Sequence, residues 1–195
     1  RPRASRLLGV SRVSSLSAMT SSNGRCASIG ASPQSSRKRR FHSSSAPSAL
    51  TIATRMGMDV TLLCPTADYI LDERYMGWAE QNVAESGGSL KISHDIDSAY
   101  AGADVVYAKS WGALPFFGNW EPEKPIRDQY KHFIVDERKM ALTNNGVFSH
   151  CLPLRRNVKA TDAVMDSPQC IAIDEAENRL HVQKAVMATL MGRRD

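Results

Sequence analysis

From residue 48 onward, short apolar runs alternate with longer amphipathic stretches along the chain. The first run, Asp59–Cys64, predicts a strand that ends at Pro65, because proline has no N–H to give the hydrogen-bond ladder. Strands separated by helical stretches are typical of βα units. We therefore predict an α/β fold over residues 48–192, with a mostly parallel sheet flanked by helices. Four later runs predict the other strands: Leu90–Ile92, Asp104–Ala108, Gly146–Phe148 and Ile171–Ile173.

The stretches between these runs predict helices with recognisable ends. Residues 71–85 are rich in helix formers, Trp78 is expected to face inward, and Gly87 ends the helix. The last helix is expected from Glu175 to about Met191, with Asp174 as its N-terminal cap. Two shorter helices are predicted over Ile96–Tyr100 and Asp136–Leu142.

Residues 1–47 differ sharply from the rest. Serine and arginine dominate them, and apolar residues are too sparse to outline a core, so we expect a disordered arm. Residues 1–58 hold ten of the 25 Lys and Arg and none of the 20 Asp and Glu. The net charge of +5 therefore comes from the arm and says nothing about what the globular part binds.

Three interpretations of the arm stay open. Its acid-free Ser/Arg composition is typical of an organellar transit peptide, and Arg39–Ser44 resembles a mitochondrial processing site. The tract Arg37–Arg40 also fits a nuclear-localisation or nucleic-acid patch, although no aromatic residue interleaves with it. The third interpretation is a non-native stretch from a misjoined or frame-shifted gene. The chain does not open with Met, which we take to favour a fragment or a processed product.

The cysteines and the hydropathy restrict the compartment. The four cysteines include no C-x-x-C pair, so neither a disulfide scaffold nor a zinc motif is indicated. A reduced compartment is the default for such a chain, and we expect the cytoplasm, or the mitochondrion if the arm is a presequence. No run of eighteen apolar residues is present, so we expect no membrane partner.

The run His150–Asn157 carries the candidate chemistry. It places an imidazole, a thiol and two guanidiniums just after a predicted strand, where open α/β sheets bind their ligands. His150 and Cys151 are therefore candidate catalytic residues. The same pattern also fits a buried cysteine that packs as a small hydrophobic group beside solvated arginines. The chain has neither a G-x-G-x-x-G motif nor a P-loop, so no nucleotide site is indicated.

Two further clusters fall at the same predicted edge, Lys109–Gly112 and Asn178–Arg179. His150-Cys151-Leu152-Pro153, followed by Glu175–Arg179, resembles the aspartate/ornithine carbamoyltransferase superfamily. The stretch from about Ser48 to Gly192 is most similar to its N-acetylornithine branch, notably at Lys109–Gly112 and Arg155–Lys159.

The resemblance implies transfer of a carbamoyl group from carbamoyl phosphate to the side-chain amine of N-acetylornithine, in arginine biosynthesis. It implies no cofactor and no metal, and a homotrimer in which active sites lie between subunits. By the same resemblance, Cys151 and Leu152 line the carbamoyl group, and Arg179 reaches carbamoyl phosphate. Arg179 could instead pair with Glu175, four residues earlier on the same helix.

The resemblance also suggests the acceptor. Ornithine carbamoyltransferases carry an Asp in the loop that here holds Lys109, and that carboxylate binds the free α-ammonium of ornithine. A lysine would repel this ammonium, whereas an acylated amine is neutral, so we expect Lys109, Trp111, Leu152 and Arg155 to bind N-acetylornithine. There are three alternatives. Lys109 could be a solvated surface lysine, or the acceptor could be ornithine or N-succinylornithine. The chain could also be a nucleic-acid-binding protein with a basic arm. Lys159 matches a lysine that can be carbamylated in this branch, or it is an ordinary surface lysine.

The chain also departs from the superfamily. We find neither a Ser-Thr-Arg-Thr type phosphate loop nor a His-Pro-x-x-Gln element, and residues 1–47 resemble no part of the family. We therefore expect residues 48–192 to be the second, amino-acid-binding domain of a carbamoyltransferase. We also expect little catalysis by the chain alone, because the residues that hold the phosphate are missing from it.

Overall fold

The computed structural model describes residues 45–109, 113–116 and 119–192, together with the backbone of residues 12–18. Five strands form one sheet in the order β3-β2-β1-β4-β5, and every neighbouring pair is parallel. The predicted α/β class with a parallel sheet is thus confirmed. The strands are β1 Arg12–Ala18, β2 Asp59–Leu63, β3 Ser89–Ser93, β4 Val105–Lys109 and β5 Val147–Ser149.

Helices cover both faces of this sheet. Leu62 of β2 packs with Leu50 and Met76 on one face, and Leu63, the next strand residue, packs with Tyr100 on the other. This follows from the strand geometry, because successive side chains point to opposite faces. The helices are α1 Ser45–Arg55, α2 Glu73–Ser86, α3 Ile96–Tyr100, α4 Lys124–Gln129, α5 Glu137–Met140, α6 Asp162–Met165 and α7 Ala172–Met191. Short 3-10 helices span Ala67–Tyr69, Leu114–Phe116 and Lys131–Phe133.

Helix α2 has the predicted ends but a different inward face. The Asp72 carboxylate accepts from the Arg74 N–H at its start, and Gly87 ends it in the left-handed conformation with φ of 79°. Trp78 is 48% exposed, so the prediction that it faces inward is wrong. Met76 holds the inward position, and two residues later the helix has turned by about 200°.

The central strand β1 comes from the arm. Its backbone pairs with β2 on one side and with β4 on the other. Within the predicted arm the structure thus places one strand, Arg12–Ala18, and the last three residues of the arm, Ser45–Pro47, begin α1. The physical reason is that β2 and β4 would otherwise each present unpaired N–H and C=O groups, and any backbone can pair with them. Residues 1–11 and 19–44 lie outside the described part of the chain.

The C-terminal region differs from the prediction as well. No strand forms over Ile171–Ile173: α7 begins at Ala172, and Ile173 is 70% exposed, so this apolar triplet is not a core strand. Asp174 lies in the first turn of α7 and not at its cap. Among the described residues, no helix combines the length and apolarity that crossing a membrane requires.

Candidate functional site

The candidate site lies where β4 and β5 end. These strands are parallel neighbours, and Tyr107 stands opposite Ser149 in their register. Lys109 is the last residue of β4, while His150 and Cys151 directly follow β5. Because the carboxyl ends of parallel strands meet at one edge of a sheet, the Lys109 and Cys151 side chains come into contact there.

Cys151 is surrounded by hydrogen-bond donors. The Lys109 Nζ lies 3.0 Å from the Cys151 Sγ, and the hydroxyl groups of Ser45 and Tyr107 lie near enough to this sulfur to favour its charged form. Burial favours the neutral thiol, but these donors together hold the pKa of Cys151 below its ordinary value. The thiolate is the form that accepts hydrogen bonds strongly and reacts as a nucleophile. The interpretation of Lys109 as a solvated surface lysine therefore does not hold.

His150 is buried and supports the turn that follows it. Its side chain is 1% exposed, and the Nδ1 accepts a hydrogen bond of 2.9 Å from the Leu152 N–H. Burial and the positive charges of Lys109 and Lys159 lower the pKa of His150 to about 4. The ring is therefore neutral near neutral pH and carries its proton on Nε2, which has no partner among the described residues. It can donate one hydrogen bond but cannot act as a cationic acid.

Leu152 has a strained backbone. Its φ is 47°, in the left-handed region that branched side chains rarely occupy. Such a conformation costs on the order of 1–3 kcal/mol and persists where the surrounding structure enforces it, often at functional sites. Here the hydrogen bond from the Leu152 N–H to His150 helps to enforce it. The strain fixes the direction in which the chain leaves Cys151.

A group of cations lies beside the thiol. The Lys159 side chain is 6% exposed, and its Nζ has no partner among the described residues. Burial, and then the charges of Arg155, Arg127 and Lys109, lower the pKa of Lys159 to about 7. The interpretation of Lys159 as an ordinary surface lysine is therefore wrong. A buried amine among three cations favours an anionic ligand, because an anion would offset their mutual repulsion.

Arg179 approaches the site from α7. Its Nη2 lies 3.5 Å from the Cys151 carbonyl oxygen, a long contact between an exposed guanidinium and the turn. No ion pair joins Arg179 to Glu175 among the described residues, so the alternative partner suggested by their spacing is not used. Arg155 is exposed beside Lys159, whereas Arg156 binds Asp162 and Asp166. Trp111 lies outside the described residues, and its predicted role stays a prediction.

Sequence reasoning missed Glu175 as part of the site. The Tyr107 hydroxyl donates to the Glu175 Oε1 at 3.4 Å, and the Ser149 hydroxyl donates to the Glu175 Oε2. Glu175 thereby ties the first turn of α7 to the ends of β4 and β5. The available signal was the period of two in β4, which places Tyr107 on the same face as Lys109.

Glu123 is a second residue that sequence reasoning missed. Its side chain is 0% exposed, and its Oε1 accepts from the Ala113 N–H at 2.7 Å. The Arg127 Nη1 lies 3.7 Å from its Oε2, and burial together with this carboxylate raises the pKa of Tyr69. This carboxylate therefore joins Ala113, shortly after Lys109 in the chain, to the first turn of α4. No motif marks it in the sequence, because it is one of two acidic residues in a proline-rich loop.

Comparison with known sequences places this site in a family. The profile described as "Aspartate/ornithine carbamoyltransferase, Asp/Orn binding domain" matches residues 41–190. An N-acetylornithine carbamoyltransferase of Xanthomonas campestris pv. campestris is 92% identical over 147 residues, 75% of this chain and 43% of that protein. An ornithine carbamoyltransferase of Pyrococcus abyssi is 40% identical over 148 residues, 75% of this chain and 45% of that protein.

Solved structures give the same result. Acetylornithine transcarbamylase complexed with acetylcitrulline superposes with a TM-score of 0.74 at 92% identity, covering 76% of this chain and 44% of that one. A mutant N-acetyl-L-ornithine transcarbamylase complexed with carbamyl phosphate and N-succinyl-L-norvaline gives 0.73 at 93% identity, covering 74% and 44%. The chain thus spans less than half the length of these relatives. With the matching profile and the shared fold, the chain belongs to the aspartate/ornithine carbamoyltransferase family.

Proposed function

We propose that this chain carries the amino-acid-binding domain of an N-acetylornithine carbamoyltransferase. The reaction would move the carbamoyl group of carbamoyl phosphate to the side-chain amine of N-acetylornithine, giving N-acetylcitrulline and phosphate in arginine biosynthesis. The observation that carries the proposal is the position of Lys109, with its Nζ 3.0 Å from the Cys151 Sγ and a group of further cations beside it. The higher identity to N-acetylornithine than to ornithine carbamoyltransferases supports the same acceptor.

The charges around Cys151 favour an acylated acceptor. Lys109, Arg155 and Lys159 attract the α-carboxylate of an amino acid and repel a free α-ammonium. Glu175 is the nearby carboxylate, and Tyr107 and Ser149 already donate to it. Acylation removes the α-ammonium charge, so N-acetylornithine offers this site a carboxylate and a neutral amide. Ornithine would bring an uncompensated positive charge.

The turn from His150 to Leu152 suits the carbamoyl end of the reaction. When the amine attacks the carbamoyl carbon, the bond to the phosphate oxygen breaks, phosphate leaves and the amine loses a proton. The carbamoyl oxygen gains negative charge during attack, and a positioned donor stabilises it. The neutral His150 offers its unpartnered Nε2–H for that role, while Cys151 and Leu152 line the carbamoyl group. Arg179 would bind carbamoyl phosphate, since a guanidinium matches paired phosphate oxygens.

Lys159 is proposed as the site of carbamylation. Its neutral amine would add to carbon dioxide, forming an N–C bond and releasing one proton, so that a neutral group becomes an anion. The lowered pKa, about 7, supports this because only the neutral amine reacts. An anion at Lys159 would be stabilised by Arg155 and Arg127.

The assembly and the compartment follow from the same resemblance. We propose that the complete enzyme is a homotrimer with active sites between subunits, that it works in the cytoplasm, and that it needs no cofactor. Size measurement of the complete enzyme in solution would test the trimer.

A chimeric enzyme tests the acceptor. Residues 45–192 of this chain replace the corresponding residues of the Xanthomonas campestris enzyme, and steady-state rates are measured with N-acetylornithine, N-succinylornithine and ornithine. We expect N-acetylornithine to give the highest kcat/KM, and a preference for ornithine or N-succinylornithine would overturn the proposal. The 195-residue chain itself should show little transfer, because catalysis depends on holding both reactants in register.

A further inference from the structure

Helix α7 lies almost wholly outside the hydrophobic core. Of its 20 residues, all of them described, only Ala172 is buried, and every position from Ala176 to Met191 is exposed. Its first turn is held to the sheet by the hydrogen bonds of Glu175. A helix of this length spans about 30 Å and is only marginally stable in water unless it packs against another element. The exposed part of α7 therefore gains little stability from the rest of the described chain.

One side of α7 carries an apolar stripe. Spacings of three and four residues bring six positions to this side, and we name them the α7 stripe: Ile173, Ala176, Leu180, Gln183, Met187 and Leu190. The same spacing defines the contact positions of two-stranded coiled coils. The four large apolar side chains of the stripe are between 51% and 77% exposed. A continuous exposed apolar surface of this kind marks a site of interaction.

The α7 stripe matches a second copy of itself that runs in the opposite direction. When two such helices overlap along the whole stripe, Ile173 lies opposite the partner's Leu190, and Ala176 lies opposite the partner's Met187. A small side chain thus meets a long one in one layer, and two branched side chains meet in the next. This overlap is two-fold symmetric, so the same surface serves both copies, as in most protein dimers.

The charges beside the stripe favour the same direction. In the antiparallel overlap, Glu177 lies beside the partner's Lys184, and symmetry repeats this attractive pair. In a parallel overlap, Arg179 would lie beside the partner's Lys184, and the two cations would repel. Charges at such flanking positions set the orientation of coiled coils. The Glu177 side chain is 68% exposed, and its contact with His181 in the same helix, at 3.8 Å, is an ion pair only when the histidine is protonated.

We propose that two copies of this chain associate through the α7 stripe as an antiparallel pair of helices. The pair removes the apolar side chains of both stripes from water, which is the main driving force of such association. It also gives α7 the packing that the described part of its own chain does not supply. The pairing concerns the 195-residue chain and does not depend on the proposed function, whose trimer is that of the complete enzyme.

The mass of the chain in solution tests the association. Analytical ultracentrifugation over a wide range of protein concentration should show twice the 21.4 kDa of a single chain at the higher concentrations. A monomer at every concentration would overturn the proposal and leave the stripe to a different occupant. A mass above that of two chains would also overturn it, because a two-fold pair closes on itself.

Substitutions on opposite sides of α7 test the surface. Leu180→Glu places a charge near the centre of the stripe, so we expect the dissociation constant of the dimer to rise at least tenfold. Val182→Glu is the matched control, because Val182 is 60% exposed and lies about 200° around the same helix. Similar weakening in the two variants, or none in Leu180→Glu, would show that the stripe is not the interface.

Charge reversal tests the direction of the pair. Glu177→Lys and Lys184→Glu should each raise the dissociation constant about threefold to tenfold, and the double variant should restore it. In a parallel pair, Lys184→Glu would strengthen association instead, because Arg179 would lie beside the introduced carboxylate. Stronger association in that variant, or no recovery in the double variant, would overturn the antiparallel arrangement. These variants keep every apolar residue of the stripe, so they remain decisive even where Leu180→Glu disturbs the helix itself.

Discussion

The Lys109 amine is 3.0 Å from the Cys151 sulfur, so a single hydrogen bond joins the ends of two neighbouring strands. The bond links a residue expected to hold the acceptor with one expected to hold the carbamoyl group. An acceptor carboxylate that binds Lys109 would draw the amine away from the sulfur. Binding of the acceptor would then change the charge state of Cys151, the residue expected to line the carbamoyl group.

Replacement of Lys109 should weaken the acylated acceptor. In the chimera, Lys109→Asp removes a charge-assisted contact worth about 1.5–3 kcal/mol and adds a carboxylate that repels the substrate. We expect kcat/KM for N-acetylornithine to fall by at least tenfold, while ornithine loses less or gains. Steady-state kinetics with both amines measure the change. Equal losses for the two amines would show that Lys109 does not distinguish them.

Lys159 should make stability depend on pH in the alkaline range. Its folded-state pKa, about 7, lies below the unfolded value, so above pH 7 the unfolded chain binds a proton that the folded chain does not. The free energy of unfolding therefore rises with pH from about 7 until the unfolded amine titrates. Lys159→Met should remove this rise and should stabilise the protein most at or below pH 7. Urea unfolding in buffers free of carbon dioxide measures both curves, and parallel curves would contradict the assignment.

Carbamylation of Lys159 predicts a second, chemical result. Addition of bicarbonate near neutral pH should produce a ¹³C carbamate signal when the bicarbonate is labelled. The signal should be absent in Lys159→Arg, because a guanidinium does not form a carbamate under these conditions. Persistence of the signal in that variant would assign it to another amine.

His150 should stay neutral into the acid range. Its pKa, about 4 in the folded chain, is below the unfolded value, so stability is lost as the pH falls between the two values, since only the unfolded ring gains a proton there. We expect the His150 ring resonances to show no titration between pH 8 and 5.5, with the proton on Nε2. NMR of ¹⁵N-labelled histidine tests this, and titration near pH 6.5 would contradict a buried neutral ring.

Removal of Glu123 should loosen the loop that follows Lys109. Glu123→Ala leaves the Ala113 N–H without its acceptor and Arg127 without its carboxylate, at a cost of about 1–3 kcal/mol. Amide hydrogen exchange at Ala113 should then speed up, as measured by NMR or mass spectrometry. Glu121→Ala is the matched control, because Glu121 is exposed in the same loop. Equal exchange in the two variants would show that Glu123 does not hold the loop.

Limited proteolysis tests the position of β1. Residues 12–18 pair on both sides in the middle of the sheet, so a protease of broad specificity should cut them more slowly than an unpaired segment. The sequence alone favours rapid removal of everything before Ser48. A resistant fragment that retains residues 12–18 would support β1 as a strand, and rapid loss of those residues would support the expectation from composition.

The fold was predictable where side-chain pattern and backbone pairing agree. Asp59–Cys64 and Asp104–Ala108 alternate with amphipathic stretches, and parallel pairing of such runs brings their carboxyl ends together, which is why Lys109 and Cys151 meet. The side-chain pattern does not predict a strand whose position depends on backbone pairing. Composition did not indicate β1, because four of the seven residues of Arg12–Ala18 are serine or arginine.

Two further features lay beyond the pattern for other reasons. The triplet Ile171–Ile173 is apolar enough for a strand, but a short apolar run does not separate a strand from the first turn of a helix. The contacts of Glu123 and of Glu175 join residues far apart in the chain, such as Tyr107 and Glu175. A single sequence contains no periodicity that pairs them.

At Leu152, stability and recognition are opposed. A glycine would adopt its φ of 47° at no steric cost, and Leu152→Gly would relieve roughly 1–2 kcal/mol of left-handed strain while giving up some backbone entropy. The same change would remove the only side chain between Cys151 and Pro153, and with it a wall of the candidate carbamoyl site. A leucine at this position is what selection for ligand binding would keep and what selection for folding alone would discard.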